Sequence, residues 1–178
     1  GSNAGTDIFV LYLDNSHFNI INNNTINTSS STVGNGGTGI AAIGEHNNFT
    51  LNRIYAYNFG LPIAVAGIGD IYSNNTLIGD SSVVNGILTT IFNPSIISKD
   101  NQLIDNYITI PAGNGIIDYD LGSGYSSNNT IIGGVINNSG TGLSLISSGW
   151  NISNLTVYNT TIALVITNAI NIKAIGGS

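Results

Sequence analysis

The best candidates for chemistry in this sequence are two carboxylates, Asp118 and Asp120, separated by one tyrosine. In a β-strand, residues two apart point to the same face, so these carboxylates would lie about 7 Å apart. That separation is typical of inverting glycosidases, in which one carboxyl acts as an acid and the other as a base. The same pair also fits a solvated outer face, with Ile117 and Tyr119 directed inward. A calcium site is a third alternative.

Other residue types that carry catalysis are scarce. The chain has three basic residues, Arg53, Lys99 and Lys173, together with two histidines and no cysteine. The basic residues have no partner at a motif spacing. The absence of cysteine excludes disulfides, thiolate zinc sites and cysteine nucleophiles. The sequence therefore predicts no metal centre and no cofactor.

Aromatic residues form the second group of candidates. Tyr55 and Tyr57 alternate along one predicted strand, Tyr125 precedes a repeated Asn motif, and Trp150 is the only tryptophan. Aromatic faces beside amides suit sugar rings, because the ring stacks and the amide hydrogen bonds. The alternative is that these rings close turns or stack between repeats. The four residues are the candidates for glycan binding, with Tyr125 and Trp150 as the pair to test.

Length and charge restrict the partners. With 178 residues, 42% of them hydrophobic, the chain can form one domain with a core. Its formal net charge of −6 and 7% charged residues leave no cationic surface for nucleic acid. No apolar run reaches the roughly 18 residues of a membrane span, so membrane insertion is not expected. Residues 1–4 resemble a purification-tag scar, which leaves residues 5–178 as one domain, predicted to be a fragment of a longer protein.

The elements that must position these residues are marked by a repeated Asn motif. Residues 127–132 (SNNTII) and 73–78 (SNNTLI) are near copies, and residues 99–104 and 46–51 share their polarity. We anchored each copy on the apolar residue that ends it, namely Ile20, Leu51, Ile78, Ile104, Ile132 and Ile152. The alignment predicts one structural Asn column, made of Asn48, Asn75, Asn101 and Asn129.

A second series of motifs lies between the first. Each member opens a predicted strand, and the members are residues 38–40, 61–63, 85–87, 114–116, 141–143 and 160–162. Both series advance by about 20 to 30 residues, which is typical of a solenoid, whereas propeller blades need about 40 to 45. Frequent Gly, Asn and β-branched residues exclude helical repeats. We predict an all-β chain, a right-handed parallel β-helix of about six to seven coils with Asn at its corners.

The alternation of these two motif series resembles the parallel β-helix repeats of the pectin-lyase-like superfamily. Residues 85–87 and 114–116 carry the Asn-Gly-Ile strand start, and residues 74–77 and 128–131 carry the Asn-Asn-Thr segment. The resemblance covers roughly residues 16–175. It implies the fold, while members of that superfamily include polysaccharide lyases, glycosidases, tailspikes, adhesins and modules without activity.

The expected function follows from the missing catalytic groups and the low charge. We expect a non-catalytic structural or adhesion module of a cell-surface or virion fibre protein, located outside the cell, with polysaccharide or cell-surface glycan as its partner. A β-helix has open sheet edges at its ends, so we also expect flanking domains or a homotrimer to cover them. The alternative is a carbohydrate-active enzyme, a polysaccharide hydrolase or lyase, that uses Asp118 and Asp120.

Overall fold

The computed structural model describes residues 9–30, 37–90, 97–119, 126–146, 149–167 and 173–177. All regular secondary structure in these ranges is β-strand, and every strand pair is parallel. Within the same ranges no helix is long and apolar enough to cross a membrane. The prediction of an all-β chain built from parallel strands is confirmed.

The strands are short and numerous. In chain order they are β1 (Phe9–His17), β2 (Ile20–Asn22), β3 (Thr25–Ser29), β4 (Thr38–Glu45), β5 (Asn48–Thr50), β6 (Arg53–Tyr57), β7 (Leu61–Val65), β8 (Ile71–Ser73), β9 (Thr76–Gly79), β10 (Asn85–Thr90), β11 (Ser98–Lys99), β12 (Gln102–Ile104), β13 (Tyr107–Thr109), β14 (Asn114–Tyr119), β15 (Ser126–Ser127), β16 (Thr130–Ile132), β17 (Val135–Asn137), β18 (Thr141–Leu145), β19 (Asn151–Tyr158), β20 (Ile162–Ile166) and β21 (Lys173–Gly177).

These strands form three stacks. The first stack has the order β1-β4-β7-β10-β14-β18-β20. The second runs β2-β5-β8-β12-β16 and the third β3-β6-β9-β13-β17, and the long strand β19 pairs with the last strand of both. Strand β21 pairs with β19, and β11 pairs with β15. The chain visits the stacks in the order first, second, third, and we call each such passage a repeat.

Apolar columns hold the stacks together. Parallel pairing places equivalent residues of successive repeats over one another, so a column that faces inward must be apolar in every repeat. The three inward columns are Ile40, Ile63, Ile87, Ile116 and Leu143 in the first stack, Ile21, Phe49, Tyr72, Leu103, Ile131 and Ile152 in the second, and Ile26, Ile54, Leu77, Ile108, Ile136 and Val157 in the third. Most of these side chains are fully buried, and the Phe49 and Tyr72 rings stack with centroids 4.7 Å apart.

The glycines that open the first-stack strands allow the repeats to approach closely. A Cβ at Gly86 would lie 2.6 Å from the Gly115 carbonyl oxygen and 2.8 Å from Ile108 Cγ2. A Cβ at Gly142 would likewise lie 2.6 Å from the Ala163 carbonyl oxygen. This contact explains the Gly-Ile motif, because only glycine leaves room for the neighbouring backbone.

Each corner on either side of the second stack has the same two-residue structure. One residue has a left-handed backbone, and the next residue starts or precedes a strand, except at Asn154, which lies within β19. Residues with positive φ before the second stack are Phe18, His46, Gly69, Asp100, Asn128 and Gly149, and those after it are Asn23, Leu51, Asn74, Asp105, Gly133 and Asn154. Asn and Gly reach this backbone region at the lowest cost, which explains their abundance in the chain.

Two parts of the predicted alignment are wrong. Residues 73–78 and 127–132 are near copies in sequence, but they occupy different corners, since Thr76 pairs with Tyr107 in the third stack and Thr130 pairs with Gln102 in the second. The last strand-opening motif is also shifted, because Ile162, not Thr160, pairs with Thr141. In both copies the corner consists of a left-handed Asn, Asn74 or Asn128, followed by a second Asn, so local sequence does not distinguish them.

Candidate functional site

Asp118 lies in an inward column of the first stack. It is two residues beyond Ile116 on β14, so its side chain points to the same face, into the core. Its relative exposure is 0%. Oδ1 accepts hydrogen bonds from Thr89 Oγ1 at 2.6 Å and from Ser126 Oγ at 2.7 Å, and Oδ2 accepts one from Trp150 Nε1 at 3.1 Å. Three donors from three neighbouring repeats therefore satisfy this buried carboxylate.

This geometry corrects the interpretation of the acidic pair as a solvated outer face, and it places the catalytic candidate Asp118 inside the core. Asp118 is neither an exposed catalytic group nor part of a solvated outer face, because the strand places it on the Ile116 side. Ile117, which the second interpretation directed inward, is half-buried. Asp120 lies outside the described residues. The described residues contain no group of three or more side chains arranged to hold a metal ion.

Trp150 is also in the core and not on a ligand-binding surface. Its side chain is fully buried. Because Asn151 pairs with Thr130, Trp150 occupies the position in the sixth repeat that Asn129 occupies in the fifth. Its indole N–H is directed at Asp118. Tyr125, the residue predicted to act with it, lies outside the described residues. The predicted catalytic group and the predicted sugar-binding ring are thus brought together, but inside the protein.

Asn side chains form a ladder at the corner before the second stack. This first ladder consists of Asn19, Asn47, Asp70, Asn101 and Asn129. Asn101 shows the pattern, since its backbone N–H and its Nδ2 both donate to Asn129 Oδ1, at 3.0 and 3.1 Å. Its Nδ2 also donates to the Gly67 carbonyl at 2.9 Å. The ladder thereby satisfies backbone groups that the corner leaves without strand partners.

A second ladder follows the first by five residues in each of the first four repeats. It consists of Asn24, Asn52, Asn75 and Asn106, joined in the same way. The predicted single column is therefore corrected: Asn101 and Asn129 belong to the first ladder and Asn75 to the second. Asn48 belongs to neither, because it is the residue after the rung Asn47 and already lies in β5.

Asp70 is the one carboxyl among the rungs of the two ladders. It is fully buried, and its Oδ1 accepts from Asn47 N at 2.7 Å and from Asn47 Nδ2 at 3.2 Å. Oδ2 has no hydrogen-bond partner, and the buried Tyr72 hydroxyl has none either. Burial raises the pKa of Asp70 to about 6, although the hydrogen bonds from Asn47 oppose this increase.

The outward side of the third stack carries exposed tyrosines. Its strands alternate between buried and exposed positions, and four tyrosines point outward. We call this surface the tyrosine face; it consists of Tyr55, Tyr57, Tyr107 and Tyr158. Tyr57, Tyr107 and Tyr158 are 44%, 38% and 43% exposed, and Tyr55 is half-buried. The structure thus places the predicted Tyr55 and Tyr57 together with two tyrosines that the sequence did not single out.

Amide groups connect the tyrosines at one end of this face. Asn137 Nδ2 donates to the Tyr107 hydroxyl at 3.3 Å, and Asn159 Nδ2 donates to Asn137 Oδ1 at 3.1 Å. Asn137 pairs with Tyr158 across β17 and β19, so both rings flank the same amide. Hydrogen bonds from Asn137, and then from Thr109 and Tyr158, lower the pKa of Tyr107. Rings with amides between them can stack on and hydrogen bond to a polar ligand.

The remaining polar cluster is small. His17 Nδ1 lies 4.0 Å from Glu45 Oε2, beside a shallow cleft of about 210 Å³ that also includes Asn15, Gly44 and Ile68. Both side chains are about half exposed. The Ser16 hydroxyl nearby accepts from Asn19 Nδ2, so it is engaged in the first ladder. This cleft carries no arrangement of nucleophile and base.

Some of these residues had a signal in the sequence. Rungs of the two ladders are separated by five residues in each of the first four repeats, as in Asn19 and Asn24 or Asn47 and Asn52. A search for this spacing would have found Asp70, which precedes Asn75 by five. Thr89 and Ser126 had no such signal, because their meeting with Asp118 depends on stacking between repeats.

Comparison of the chain with protein-family models, with curated proteins and with solved structures found no match.

Proposed function

We propose that this chain is a right-handed parallel β-helix of the pectin-lyase-like kind, which serves as a rigid, non-catalytic module of an extracellular surface or virion fibre protein and binds a glycan along its tyrosine face. The tyrosine face is the observation that carries the binding part of this proposal. Its side chains come from repeats two, four and six, so they span roughly 20 Å at a strand spacing of about 4.8 Å. An extended chain of sugar rings matches such a strip.

The β-helical part rests on the order of the strands. Each repeat contributes strands to the first, second and third stacks in that order, all pairs are parallel, and two ladders run along the corners. Seven repeats begin in the described residues, and this number supports the proposal of a rod built from six to seven coils. A rigid rod of this kind suits a spacer or fibre, because each repeat is fixed by its two neighbours.

The chemistry of the tyrosine face favours a neutral ligand. Tyrosine rings offer an apolar surface for the C–H face of a sugar, and the hydroxyl and amide groups offer hydrogen bonds. Arg53 is the cation on this stack, and it pairs in register with Thr25 and Thr76. Recognition of a neutral polysaccharide or cell-surface glycan therefore fits better than recognition of a highly charged polymer.

Exposed apolar side chains on strands at the two ends of the stacks support an assembled form. Val10 and Ile20 are exposed at one edge, and Ile162 and Leu164 at the other. Further repeats, flanking domains or the other subunits of a homotrimer would cover them, since exposed sheet edges otherwise invite aggregation.

The binding proposal is tested on a glycan array with the wild-type protein and the double variant Tyr107→Ala/Tyr158→Ala. We expect wild-type binding to neutral glycans and a loss of about tenfold or more in affinity in the variant, because two stacking platforms are removed. Tyr12→Ala is the matched control, since Tyr12 is an exposed tyrosine on the first stack. Equal binding by all three proteins, or no binding by any, would refute the glycan role and leave a bare structural module.

The enzymatic alternative has no specific observation in its favour. A carboxyl with 0% exposure does not reach a polymer substrate without opening of the fold. Activity of the wild-type protein on a panel of polysaccharides, lost in a folded Asp118→Asn variant, would nevertheless favour a carbohydrate-active enzyme over the proposal.

A further inference from the structure

Asp70 interrupts the donor pattern of the first ladder. An amide rung donates twice through Nδ2, once to the next rung and once to a backbone carbonyl of the preceding repeat. For Asn47 these acceptors are Asp70 Oδ1 and the Ser16 carbonyl, at 3.2 and 3.0 Å. For Asn101 they are Asn129 Oδ1 and the Gly67 carbonyl, at 3.1 and 2.9 Å. An ionised carboxyl at Asp70 cannot donate to either position.

Asp70 Oδ2 stands where the Asn rungs have Nδ2, and it lies beside a backbone carbonyl oxygen, which is an acceptor. Ser16 and Gly67 each stand three residues before a rung, and the equivalent residue for Asp70 is Gly44, three residues before Asn47. A Cβ at Gly67 would overlap Asp70 Oδ2 and would lie 2.9 Å from the Gly44 carbonyl oxygen. Asp70 Oδ2 and the Gly44 carbonyl oxygen therefore lie on the same side of Gly67, close to each other. Asn101 Oδ1, the next rung, accepts from the Asp70 backbone N–H at 2.9 Å. Oδ2 has no hydrogen-bond partner among the described residues.

We propose that Asp70 is a carboxylic acid in the folded protein in acidic solution, that its Oδ2–H then donates where an Asn amide donates in the other rungs, and that ionisation of this group loosens the junction between the second, third and fourth repeats. The contacts of the third repeat with the second and fourth repeats are then more stable in acid than at neutral pH. The proton restores one of the two donors of an amide, and its loss places a negative charge between oxygen atoms in a buried site.

The surroundings of Asp70 agree with this assignment. Burial raises its pKa to about 6, and the Asn47 hydrogen bonds, His46 and the Tyr72 hydroxyl oppose that shift without cancelling it. Tyr72 is directed toward this carboxyl without reaching hydrogen-bond geometry, and burial raises its own pKa well above the usual range. On the next repeat, Lys99 and Asp100 directly precede the rung Asn101, but both side chains are about half exposed, and Lys99 Nζ lies 3.8 Å from Asp100 Oδ2.

The direction of the pH dependence follows from these values. The folded pKa of about 6 exceeds the unfolded value of 3.8, so the folded state holds this proton more tightly. The stabilisation is fully present below the unfolded pKa and is lost as the pH rises through 6. A difference of about two pKa units corresponds to roughly a 100-fold increase in the unfolding equilibrium constant between about pH 4 and pH 7.

The test compares urea unfolding of the wild-type protein and Asp70→Asn from pH 4 to pH 8, followed by the fluorescence of the single Trp150. We expect the unfolding equilibrium constant of the wild-type protein, divided by that of the variant, to rise about 100-fold over this range, because the two proteins differ only at the group that titrates in this proposal. Asp105→Asn is the matched control; Asp105 is exposed, so this variant should follow the wild-type protein. Parallel pH profiles of the wild-type protein and Asp70→Asn would overturn the proposal.

A second measurement needs no variant. The carboxyl carbon of Asp70, observed by NMR in the folded wild-type protein, should titrate near pH 6, and a midpoint near pH 4 would refute the proposal. Amide exchange at Ile71, whose N–H donates to the Asn47 carbonyl at 2.8 Å, should lose protection above that midpoint relative to amides of the fifth repeat. Unchanged amide protection at Ile71 across the midpoint would show that ionisation of Asp70 does not loosen the junction between these repeats.

Discussion

At the scale of single residues, two buried carboxyls have opposite surroundings. Asp118 receives hydrogen bonds on both oxygens, from Thr89 and Ser126 on one and from Trp150 on the other. Asp70 receives them on one oxygen only. Asp118 is therefore an acceptor that ties three repeats together, whereas Asp70 needs a proton to fit its ladder. Both are structural positions, although an acidic residue in this sequence first suggests catalysis.

We predict that Asp118→Asn destabilises the protein by about 2 kcal/mol. The amide keeps one acceptor oxygen, but its NH₂ group must then face either the Trp150 indole N–H or the two hydroxyls, which leaves a buried donor unsatisfied. Urea unfolding followed by Trp150 fluorescence measures the change, and a shift in the emission of the folded state is also expected. The exposed Asp105→Asn variant should remain within about 0.5 kcal/mol of the wild-type protein. Wild-type stability in Asp118→Asn would contradict the hydrogen-bond pattern.

At the scale of elements, the corner is the unit that repeats. A left-handed residue precedes each rung, and the rung then hydrogen bonds to the repeats on either side. Most left-handed positions hold Asn, Asp or Gly, but Phe18 and Leu51 also occupy them, with φ of 58° and 57°. A large side chain pays a steric cost in this region of about 1–2 kcal/mol. These corners are held by their ladders against local preference.

We predict that Leu51→Asn stabilises the protein by about 1 kcal/mol. Leu51 is 55% exposed, so little burial is lost, and Asn adopts the left-handed backbone more readily. Thermal or urea unfolding provides the measurement. Leu51→Ala serves as the control, because alanine keeps the steric cost and should not stabilise. Equal effects of the two substitutions would show that backbone conformation is not the cause.

At the scale of the whole molecule, stability is distributed along the stacks. Strand β7 pairs on both sides, with β4 and β10, and its residues from Pro62 onward are buried. Among the described strands, β20 pairs only with β18 in the first stack, and most of its side chains are exposed. In a repeat protein each unit depends on its neighbours, so a terminal unit has fewer stabilising contacts.

We therefore predict a gradient of amide protection. Hydrogen exchange measured by mass spectrometry or NMR should be at least about tenfold slower in β7 than in β20, because terminal repeats open locally without global unfolding. Strand β1, at the other edge of the first stack, should also exchange faster than β7. Uniform protection from β1 to β20 would indicate a single cooperative unit instead.

The sequence by itself determined the class of structure. Short apolar strands, Asn and Gly corners and a period of about 20 to 30 residues predicted parallel β repeats, because these features are local and each repeat carries them. The strand-opening motifs were placed correctly in five of six positions, from Thr38 to Thr141, since a glycine or proline before an inward Ile or Leu marks them without ambiguity.

Only the tertiary structure decided which corner each Asn motif occupies and which way Asp118 points. Residues 73–78 and 127–132 are nearly identical, but their corners differ because the pairing of β9 and β16 with neighbouring repeats sets their phase. A shift of one residue reverses the face of every side chain in a strand, so the direction of Asp118 depends on that pairing. The donors that surround it come from Thr89, Ser126 and Trp150, which lie far apart in sequence and meet only when the repeats stack.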